Sequence, residues 1–258
     1  MRWPSIKTGL LLLGLLLGSG SAGAGAARAV YVGFPESIPP WVQAGGRDGI
    51  AIELLRSVLQ AEGLHLHPVQ QPYARRLQAY RRGQLDALYD ITPQQQQHEQ
   101  LNGSISLPLH SFDNIAVALG RRQLAIEQLS DLARWRVMAW DGAGTALPAG
   151  YDRLLALADG NYLEAGNQGH QLVNLLAGRV DVILSDRLIF EWQRRQLFPA
   201  SLEHTPSLRI YPLLPPKEAG LLFRDSGLRA RVDARIRALK ASPQYQAVFS
   251  RDGSVAQP

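Results

Sequence analysis

The stretch LHLHPVQQPYARRLQAYRRGQLDALYDI, residues 64–91, carries the strongest fold signal in the sequence. Leu64 to Val69 predicts a strand, and Tyr73 to Arg82 predicts a helix that Gly83 stops. Leu85 to Ile91 then predicts a second strand. A strand, a helix and a strand in this order form the unit from which parallel sheets are built.

The same alternation continues on both sides of this stretch. On its N-terminal side, Ala29 to Phe34 predicts a strand and Gly49 to Glu62 predicts an amphipathic helix. On its C-terminal side the predicted elements are Ile115–Leu119, Trp135–Trp140, Tyr151–Ala158, His170–Ala177, Val180–Leu184, Gly220–Phe223 and Leu228–Ala241. The predicted fold class is therefore α/β, with mixed, mainly parallel sheets flanked by helices.

Two α/β units of similar size, with no long linker between them, predict two lobes that face a cleft. The chain would cross between the lobes at Phe112–Gly120 and at Pro215–Phe223. We expect residues 27–114 with 220–258 to form lobe 1 and residues 115–219 to form lobe 2. Ligands of open α/β sheets bind beyond the carboxyl ends of strands, and clefts between lobes are favoured binding sites.

The first 26 residues have the pattern of a secretory signal peptide. Arg2 and Lys7 give a positive start, Leu10 to Leu17 form a short apolar run, and Ala24-Gly25-Ala26 is a suitable cleavage site. The apolar run is shorter than the roughly 18 residues of a membrane anchor. We therefore expect an exported protein that functions in the periplasm.

Composition excludes several other classes of protein. The net charge of +5 falls to +3 when Arg2 and Lys7 leave with the signal, and the excess is spread along the chain, so no nucleic-acid partner is expected. The sequence has no cysteine, which excludes disulfides and a lipid anchor attached at the cleavage point. His65 and His67 alternate on a strand, but no carboxylate or cysteine stands at ligand spacing, so neither a metal nor a cofactor is expected.

An ordered set of short motifs along the mature chain resembles the periplasmic solute-binding proteins of family 3, which include the polar-amino-acid receptors of ABC transporters. The motifs are Val32-Gly33-Phe34, Pro39-Pro40-Trp41, Gly49-Ile50, Pro72-Tyr73-Ala74-Arg75, Gly83-Gln84-Leu85-Asp86-Ala87, Ile91-Thr92-Pro93, Ser106-Leu107-Pro108-Leu109 and Gly178-Arg179-Val180-Asp181. This resemblance implies the type II periplasmic-binding fold, a hinged pair of lobes that closes on a small polar solute.

The resemblance also implies a set of ligand-binding residues. Trp41, with Phe34 nearby, and Tyr73 match aromatic positions that cover the ligand with a ring. Asp186 matches the second-lobe aspartate that receives the ligand's ammonium group, although its place after a strand also suits a helix N-cap. The loop Asp141 to Thr145 matches the segment that offers backbone and hydroxyl groups to the ligand.

One position departs from the family's pattern. Family members that bind α-amino acids have a carboxylate-binding arginine three residues after the threonine of the Thr-Pro segment, and here that position is Gln95. Arg75 is our candidate substitute, while Arg76, Arg81 and Arg82 are interpreted as surface residues. Alternatively the ligand is a cationic or neutral compound such as an amine, which Asp90 and Asp186 together would favour.

The main functional hypothesis is a monomeric binding protein, not an enzyme, that delivers an amino acid or related solute to an ABC transporter. A second hypothesis is a ligand-sensing protein that serves a membrane sensor. A third is a dehydratase-like enzyme derived from the fold, with Glu164 or Glu36 as general acid. An adaptor whose cleft no longer binds a ligand is a further alternative.

Overall fold

The computed structural model describes residues 28–146, 161–198 and 206–251. The predicted signal peptide and the predicted helix Tyr151–Ala158 lie outside these residues. In chain order the strands are β1 Ala29–Phe34, β2 His65–Gln70, β3 Ala87–Tyr89, β4 Ser104–Ile105, β5 His110–Phe112, β6 Asn114–Leu119, β7 Val137–Trp140, β8 Tyr162–Ala165, β9 Val182–Asp186, β10 Leu208–Tyr211, β11 Lys217–Ala219 and β12 Leu221–Phe223. The helices are α1 Ile50–Gln60, α2 Tyr73–Arg81, α3 Pro93–His98, α4 Ala143–Ala146, α5 Gly169–Leu176, α6 Arg187–Leu197, α7 Ser226–Lys240 and α8 Pro243–Arg251.

The strands form two five-stranded sheets. The first sheet has the order β2-β1-β3-β12-β4, in which β1 runs parallel to β2 and β3 while β12 is antiparallel to its neighbours. The second has the order β10-β6-β9-β7-β8, in which β7 runs parallel to β8 and β9. Both sheets are mixed, and they confirm the predicted α/β class of two-lobed fold.

A short two-stranded ladder joins the two sheets. Strand β5 pairs antiparallel with β11, with Lys217 opposite Phe112 and Ala219 opposite His110. The chain passes through this ladder in both directions, since β5 precedes β6 of the second sheet and β11 precedes β12 of the first. The division into lobes at residues 27–114 with 220–258 and at 115–219 remains our proposal.

Inner strands of each sheet, β3 and β12 in the first and β6 and β9 in the second, are buried on both faces. On β6, Ile115, Val117 and Leu119 belong to one apolar cluster while Ala116 and Ala118 belong to another on the opposite face. A strand inside such a sheet therefore shows a continuous apolar sequence, as Ile115–Leu119 does. No helix of the described residues is long and apolar enough to span a membrane.

Two local predictions need correction. The segment Asp141 to Thr145 was expected to be a loop, but its second half belongs to the short helix α4. The strand expected over Leu85–Ile91 is limited to Ala87–Tyr89, because Asp90 adopts a left-handed conformation with φ of 60° that ends the extended backbone.

Candidate functional site

A cleft between the two sheets contains two adjoining cavities. The larger has a volume of about 80 Å³ and is lined by Pro35, Glu36, Ile38, Gln71, Pro72, Tyr73, Arg76, Asp90, Trp140, Asp141, Ala165, Gly166 and Gln168. The smaller, of about 30 Å³, is lined by Ile38, Asp90, Phe112, Asn114, Trp140, Gln168, Asp186, Ile189 and Lys217. Most of these residues directly follow strands β1, β2, β3, β7, β8 and β9, so the carboxyl ends of both sheets face the cleft.

A third cavity, of about 300 Å³, lies elsewhere. It is lined by residues of the β5–β11 ladder and of the two C-terminal helices, among them His110, Glu218, Lys240 and Tyr245. Despite its larger volume, it does not meet the strand ends of either sheet. We therefore take the two smaller cavities as the candidate site.

The two lobes are in contact across the cleft. Trp41, buried among the apolar residues of the first sheet, donates its indole Nε1–H to Asp186 Oδ1 on β9 at 2.8 Å. At the other end of the cleft, Asp141 after β7 accepts the backbone N–H of Tyr73 at the start of α2. Ile189 of α6 also belongs to the apolar cluster of the first sheet. The structure is therefore in a closed conformation.

Asp186 is fully engaged by protein donors. Its carboxylate accepts the Trp41 indole and the backbone N–H groups of Asp113, Leu188 and Ile189, so it caps helix α6 as well as joining the lobes. Burial raises its pKa to about 6, although these hydrogen bonds act in the opposite direction. With four donors already bound, Asp186 does not need a ligand ammonium group.

The arginine in the cleft is Arg76, which corrects our choice of Arg75. The side chain of Arg75 is exposed and does not line either cavity. Arg76, interpreted above as a surface residue, is only 6% exposed, and its Nη1 donates to the carbonyl oxygen of Tyr89 at 3.2 Å. Its Nε has no hydrogen-bond partner among the described residues.

The charge of Arg76 is also without a direct counter-ion in the described parts of the chain. Desolvation lowers the pKa of its guanidinium, while Asp90, Tyr73, Tyr89 and Asp141 act at a distance to raise it. The guanidinium lies 5.7 Å from the centre of the Tyr73 ring. A buried cation with a vacant N–H and no ion pair is a suitable partner for an anionic ligand group.

Asp90 is paired with a residue that sequence reasoning did not consider. Lys217 Nζ on β11 lies 2.7 Å from Asp90 Oδ1, and the ammonium lies 5.1 Å from the centre of the Phe112 ring. The lysine side chain is 11% exposed and that of Asp90 21% exposed. Asp90 is paired with Lys217, and Asp186 accepts four hydrogen bonds from the protein. The expectation that these two carboxylates bind the amine of a ligand therefore loses its basis.

The backbone N–H groups of the segment after β7 bind a carboxylate of the protein itself. Glu164 on β8 accepts the backbone N–H groups of Gly142 and Gly144 at 2.8 and 2.7 Å, and it also accepts the hydroxyl of Tyr162. Partial burial and the nearby charge of Glu164 raise the pKa of Asp141. The backbone donors that were expected to bind a ligand are therefore already used, and the Thr145 side chain lies outside the described atoms.

The predicted aromatic residues take different positions. Phe34 and Trp41 are fully buried behind the cleft, where Phe34 stacks on Tyr89 and Trp41 stacks on His110 at a ring distance of 3.8 Å. Neither ring lines the cavities, which corrects their expected role as covers of the ligand. Tyr73 lines the larger cavity, and its role as a cover of the ligand stays a prediction.

Sequence reasoning also missed Trp140 and Gln168, which line both cavities. Gln168 is 8% exposed, and its Oε1 has no partner among the described residues. A signal for Arg76 was present, because positions 73, 76, 77 and 80 share one face of a helix and the other three residues are aromatic or apolar. No comparable signal links Lys217 to Asp90, since the two residues lie 127 positions apart.

Gln95, at the family's usual arginine position, has a structural role. It is 4% exposed, and its side chain accepts the backbone N–H of Thr92 while Thr92 Oγ1 accepts the backbone N–H of Gln95. This reciprocal pair is a capping box at the start of α3. Gln95 therefore stabilises a helix end through its side-chain oxygen.

Solved structures with the same overall fold cover nearly all of the described chain. An ancestral arginine-binding protein bound to arginine is 17% identical, with a TM-score of 0.68 over 88% of this chain and 98% of that one. A histidine kinase sensor domain with similarity to periplasmic binding proteins is 18% identical, with a TM-score of 0.71 over 90% and 99%. An ABC uptake transporter substrate-binding protein from Streptococcus pneumoniae with bound histidine is 16% identical, with a TM-score of 0.68 over 89% and 95%.

These identities are low, and on their own they establish a shared fold. Comparison with curated protein sequences finds no match. The sequence does match the family model of the bacterial extracellular solute-binding proteins, family 3, over residues 30–251. Because this match spans both sheets and the ladder that joins them, the chain belongs to the bacterial extracellular solute-binding proteins of family 3.

Proposed function

We propose that this protein binds a zwitterionic amino acid between its lobes, with the ligand carboxylate on Arg76, and delivers it to an ABC transporter. The observation that carries the proposal is the buried guanidinium of Arg76, which lines the larger cavity and has neither an ion pair nor a partner for its Nε among the described residues. Charge-assisted hydrogen bonds from such a group contribute about 1.5–3 kcal/mol each.

The opposite charge of a zwitterion has a partner on the other lobe. Asp141 lines the same cavity as Arg76, and its raised pKa reflects partial burial beside Glu164, a condition that a nearby ammonium group would relieve. Gln168 Oε1 offers an additional acceptor from the second lobe. A ligand held between Arg76 on one lobe and Asp141 on the other would stabilise the closed conformation.

Cavity size is consistent with a small ligand. The larger cavity, of about 80 Å³, has room for about five to eight water-sized groups. The smaller, of about 30 Å³, adds about two or three. An amino acid with a short side chain fits this combined space.

The proposed role is binding and delivery without catalysis. Glu164, the candidate general acid, is held by three donors, and Glu36 lies exposed at the edge of the larger cavity. The predicted signal peptide supports a periplasmic location. Transporter delivery is favoured by the family assignment and by the likeness to an ABC uptake transporter component, whereas the likeness to a sensor domain supports a membrane sensor as the alternative partner.

Two neighbouring arginines allow a matched test of this proposal. The protein would be purified after export, unfolded and refolded to remove carried ligand, and titrated calorimetrically with L-alanine, L-serine, L-glutamine, L-glutamate, L-arginine and L-histidine. We expect Arg76→Gln to weaken the best ligand by at least about tenfold, because charge-assisted hydrogen bonds are lost. Arg75→Gln should leave the affinity within about twofold, since exposed charges contribute little.

The ligand supplies a second control. The carboxamide of the best amino acid lacks the carboxylate, so it should bind weakly to the wild type and lose little further affinity in Arg76→Gln. Equal effects of the two arginine substitutions would contradict the assignment of Arg76. Absence of binding by every amino acid of the panel would contradict the proposed function itself.

A further inference from the structure

Lys217 and Asp90 form an ion pair at the floor of the cleft. Lys217 lies on β11 in the ladder between the lobes, and Asp90 follows β3 of the first sheet. Their 2.7 Å contact is largely shielded from water, and both residues line the smaller cavity. The Lys217 ammonium is also placed over the Phe112 ring at 5.1 Å, which is a favourable cation–π distance.

The backbone conformation of Asp90 indicates that the protein holds the Asp90–Lys217 ion pair in one geometry. Asp90 has a φ of 60°, a conformation that non-glycine residues adopt at an energetic cost, although aspartate tolerates it better than most. Its N–H donates to the carbonyl oxygen of Gly220 at 2.9 Å, beside the ladder that carries Lys217. The strand end and the ladder therefore fix the carboxylate and the ammonium against each other.

The charged side chains of the cleft that are not neutralised by the protein determine which charges a bound ligand can have. Among the described residues that line the two cavities, Asp90 is neutralised by Lys217, and Asp186 is engaged by four donors. Glu36 is exposed to water at the edge. Arg76, which is buried, and Asp141, an exposed residue whose carboxylate accepts the backbone N–H of Tyr73 across the cleft, are left to meet the two charges of a zwitterion.

We infer that Lys217 is a specificity-determining residue that occupies, as a tethered ammonium group, the subsite where the cationic side chain of a basic amino acid would bind. This inference rests on the proposed function and narrows it: the ligand is an amino acid with a short, uncharged side chain. A basic side chain that entered the smaller cavity would meet the Lys217 ammonium and an aspartate that is already neutralised. Like-charge repulsion and an uncompensated loss of hydration then disfavour basic ligands.

Removing the tethered ammonium should open the subsite. Wild type, Lys217→Ala, Lys217→Ala with Asp90→Asn, and Lys240→Ala would be titrated with L-alanine, L-serine and L-glutamine, and with L-2,4-diaminobutyrate, L-ornithine and L-lysine. We expect the wild type to prefer the uncharged group, and Lys217→Ala to gain at least about tenfold in affinity for one basic amino acid. The gain should disappear in the double variant, and Lys240→Ala should behave like the wild type because Lys240 lies outside the cleft.

A second measurement covers the case in which Lys217→Ala is unstable, since it leaves Asp90 without its counter-ion. Millimolar n-propylammonium supplies the missing ammonium and most of the missing stem. It should raise the melting temperature of Lys217→Ala, and it should leave the wild type and the double variant unchanged.

The outcomes separate this inference from the proposed function. A wild type that binds an uncharged amino acid, together with a Lys217→Ala variant that shows neither the gain nor the n-propylammonium effect, would overturn the inference and leave the proposed function intact. A wild type that prefers a basic amino acid would also overturn the inference. A wild type that binds no amino acid would contradict the proposed function, while the n-propylammonium effect would still report whether Asp90 forms a cation subsite.

Discussion

Gly33 provides the space through which the Arg76 side chain reaches the cleft. A Cβ atom built on Gly33 would lie 2.8 Å from Arg76 Cγ and 2.8 Å from Leu85 Cδ1, closer than real Cβ atoms approach other heavy atoms. Gly33 lies in the regular strand β1. The requirement for glycine here therefore comes from the close approach of two side chains.

This crowding predicts that Gly33→Ala weakens ligand binding through Arg76. We expect the affinity for the best amino acid to fall about tenfold and the free energy of unfolding to fall by about 1–3 kcal/mol, as for other overpacked sites. Calorimetric titration well below the melting temperature, with urea unfolding in parallel, would measure both effects. In an Arg76→Ala background the contact with Arg76 is removed while those with Leu85 and Leu88 remain, so Gly33→Ala should then cost less stability than in the wild type. An equal cost in both backgrounds would show that Arg76 is not what the methyl group displaces.

An arginine in place of Gln95 would disrupt the N-terminal cap of helix α3. The capping box of Thr92 and Gln95 satisfies two backbone N–H groups at the first turn of this six-residue helix. Gln95 is buried, so an arginine at this position would lose the side-chain acceptor of the box and place a charge in a poorly hydrated site.

Gln95→Arg should therefore destabilise the protein without improving binding. We expect the free energy of unfolding to fall by roughly 1 kcal/mol or more, and the affinity for the best amino acid to stay the same or decrease. Gln94→Arg, at the exposed neighbouring position, is the matched control and should change neither quantity appreciably. Urea unfolding and calorimetric titration would measure these effects. A tighter-binding Gln95→Arg variant would indicate that Gln95 faces the ligand.

Helices and strands were predictable from the sequence because local patterns determine them. The apolar spacing of Ile50 to Leu59 predicts α1, and the uninterrupted apolar run Ile115–Leu119 predicts a strand buried on both faces. Site residues were less predictable, because one position along a helix turns the side chain by about 100°. This rotation separates the exposed Arg75 from the buried Arg76, and only the spacing from Tyr73 to Tyr80 distinguishes them.

Contacts between distant segments of the chain could not be predicted from the sequence. Trp41 meets Asp186 across 145 positions, and Lys217 meets Asp90 across 127. The sequence identified Trp41, Asp90 and Asp186 as candidate ligand residues, but the protein itself supplies their partners. Whether a given side chain faces a ligand or another side chain depends on the packing of the two lobes, which no local pattern encodes.

A continuous stack of side chains connects the closed cleft to the ladder between the lobes. Trp41 stacks on His110 of β5, and His110 Nε2 lies within hydrogen-bond distance of the Tyr89 hydroxyl. Burial lowers the pKa of His110 to about 3, so the imidazole is neutral in the folded protein. In the same stack, Trp41 donates to Asp186, whose pKa burial raises to about 6. An imidazole whose pKa is lowered and a carboxylate whose pKa is raised therefore both contact the indole of Trp41.

These two groups act on stability in opposite directions as the pH falls. His110 has a folded pKa below its ordinary 6.5, so the unfolded chain binds its proton first and acidification from about 6.5 destabilises the folded protein. Asp186 has a folded pKa above its ordinary 3.8, so the folded protein binds the proton first and acidification from about 6 to 4 is stabilising. The wild-type profile is the sum of both effects, so a difference between variants is needed to separate them.

Asp186→Asn isolates the carboxylate, because His110 is present in both proteins. The stability of wild type relative to Asp186→Asn should increase by an amount on the order of 2–3 kcal/mol as the pH falls from 7 to 4. Urea unfolding at half-unit pH intervals without ligand would measure this difference. Glu191→Gln, on the helix that Asp186 caps, is the matched control, because Glu191 pairs with Arg194 and is not among the charges that act on Asp186, so its profile should stay close to that of the wild type. Parallel profiles for wild type and Asp186→Asn would mean that the carboxylate titrates alike in folded and unfolded protein, and hence that closure does not bury it in solution.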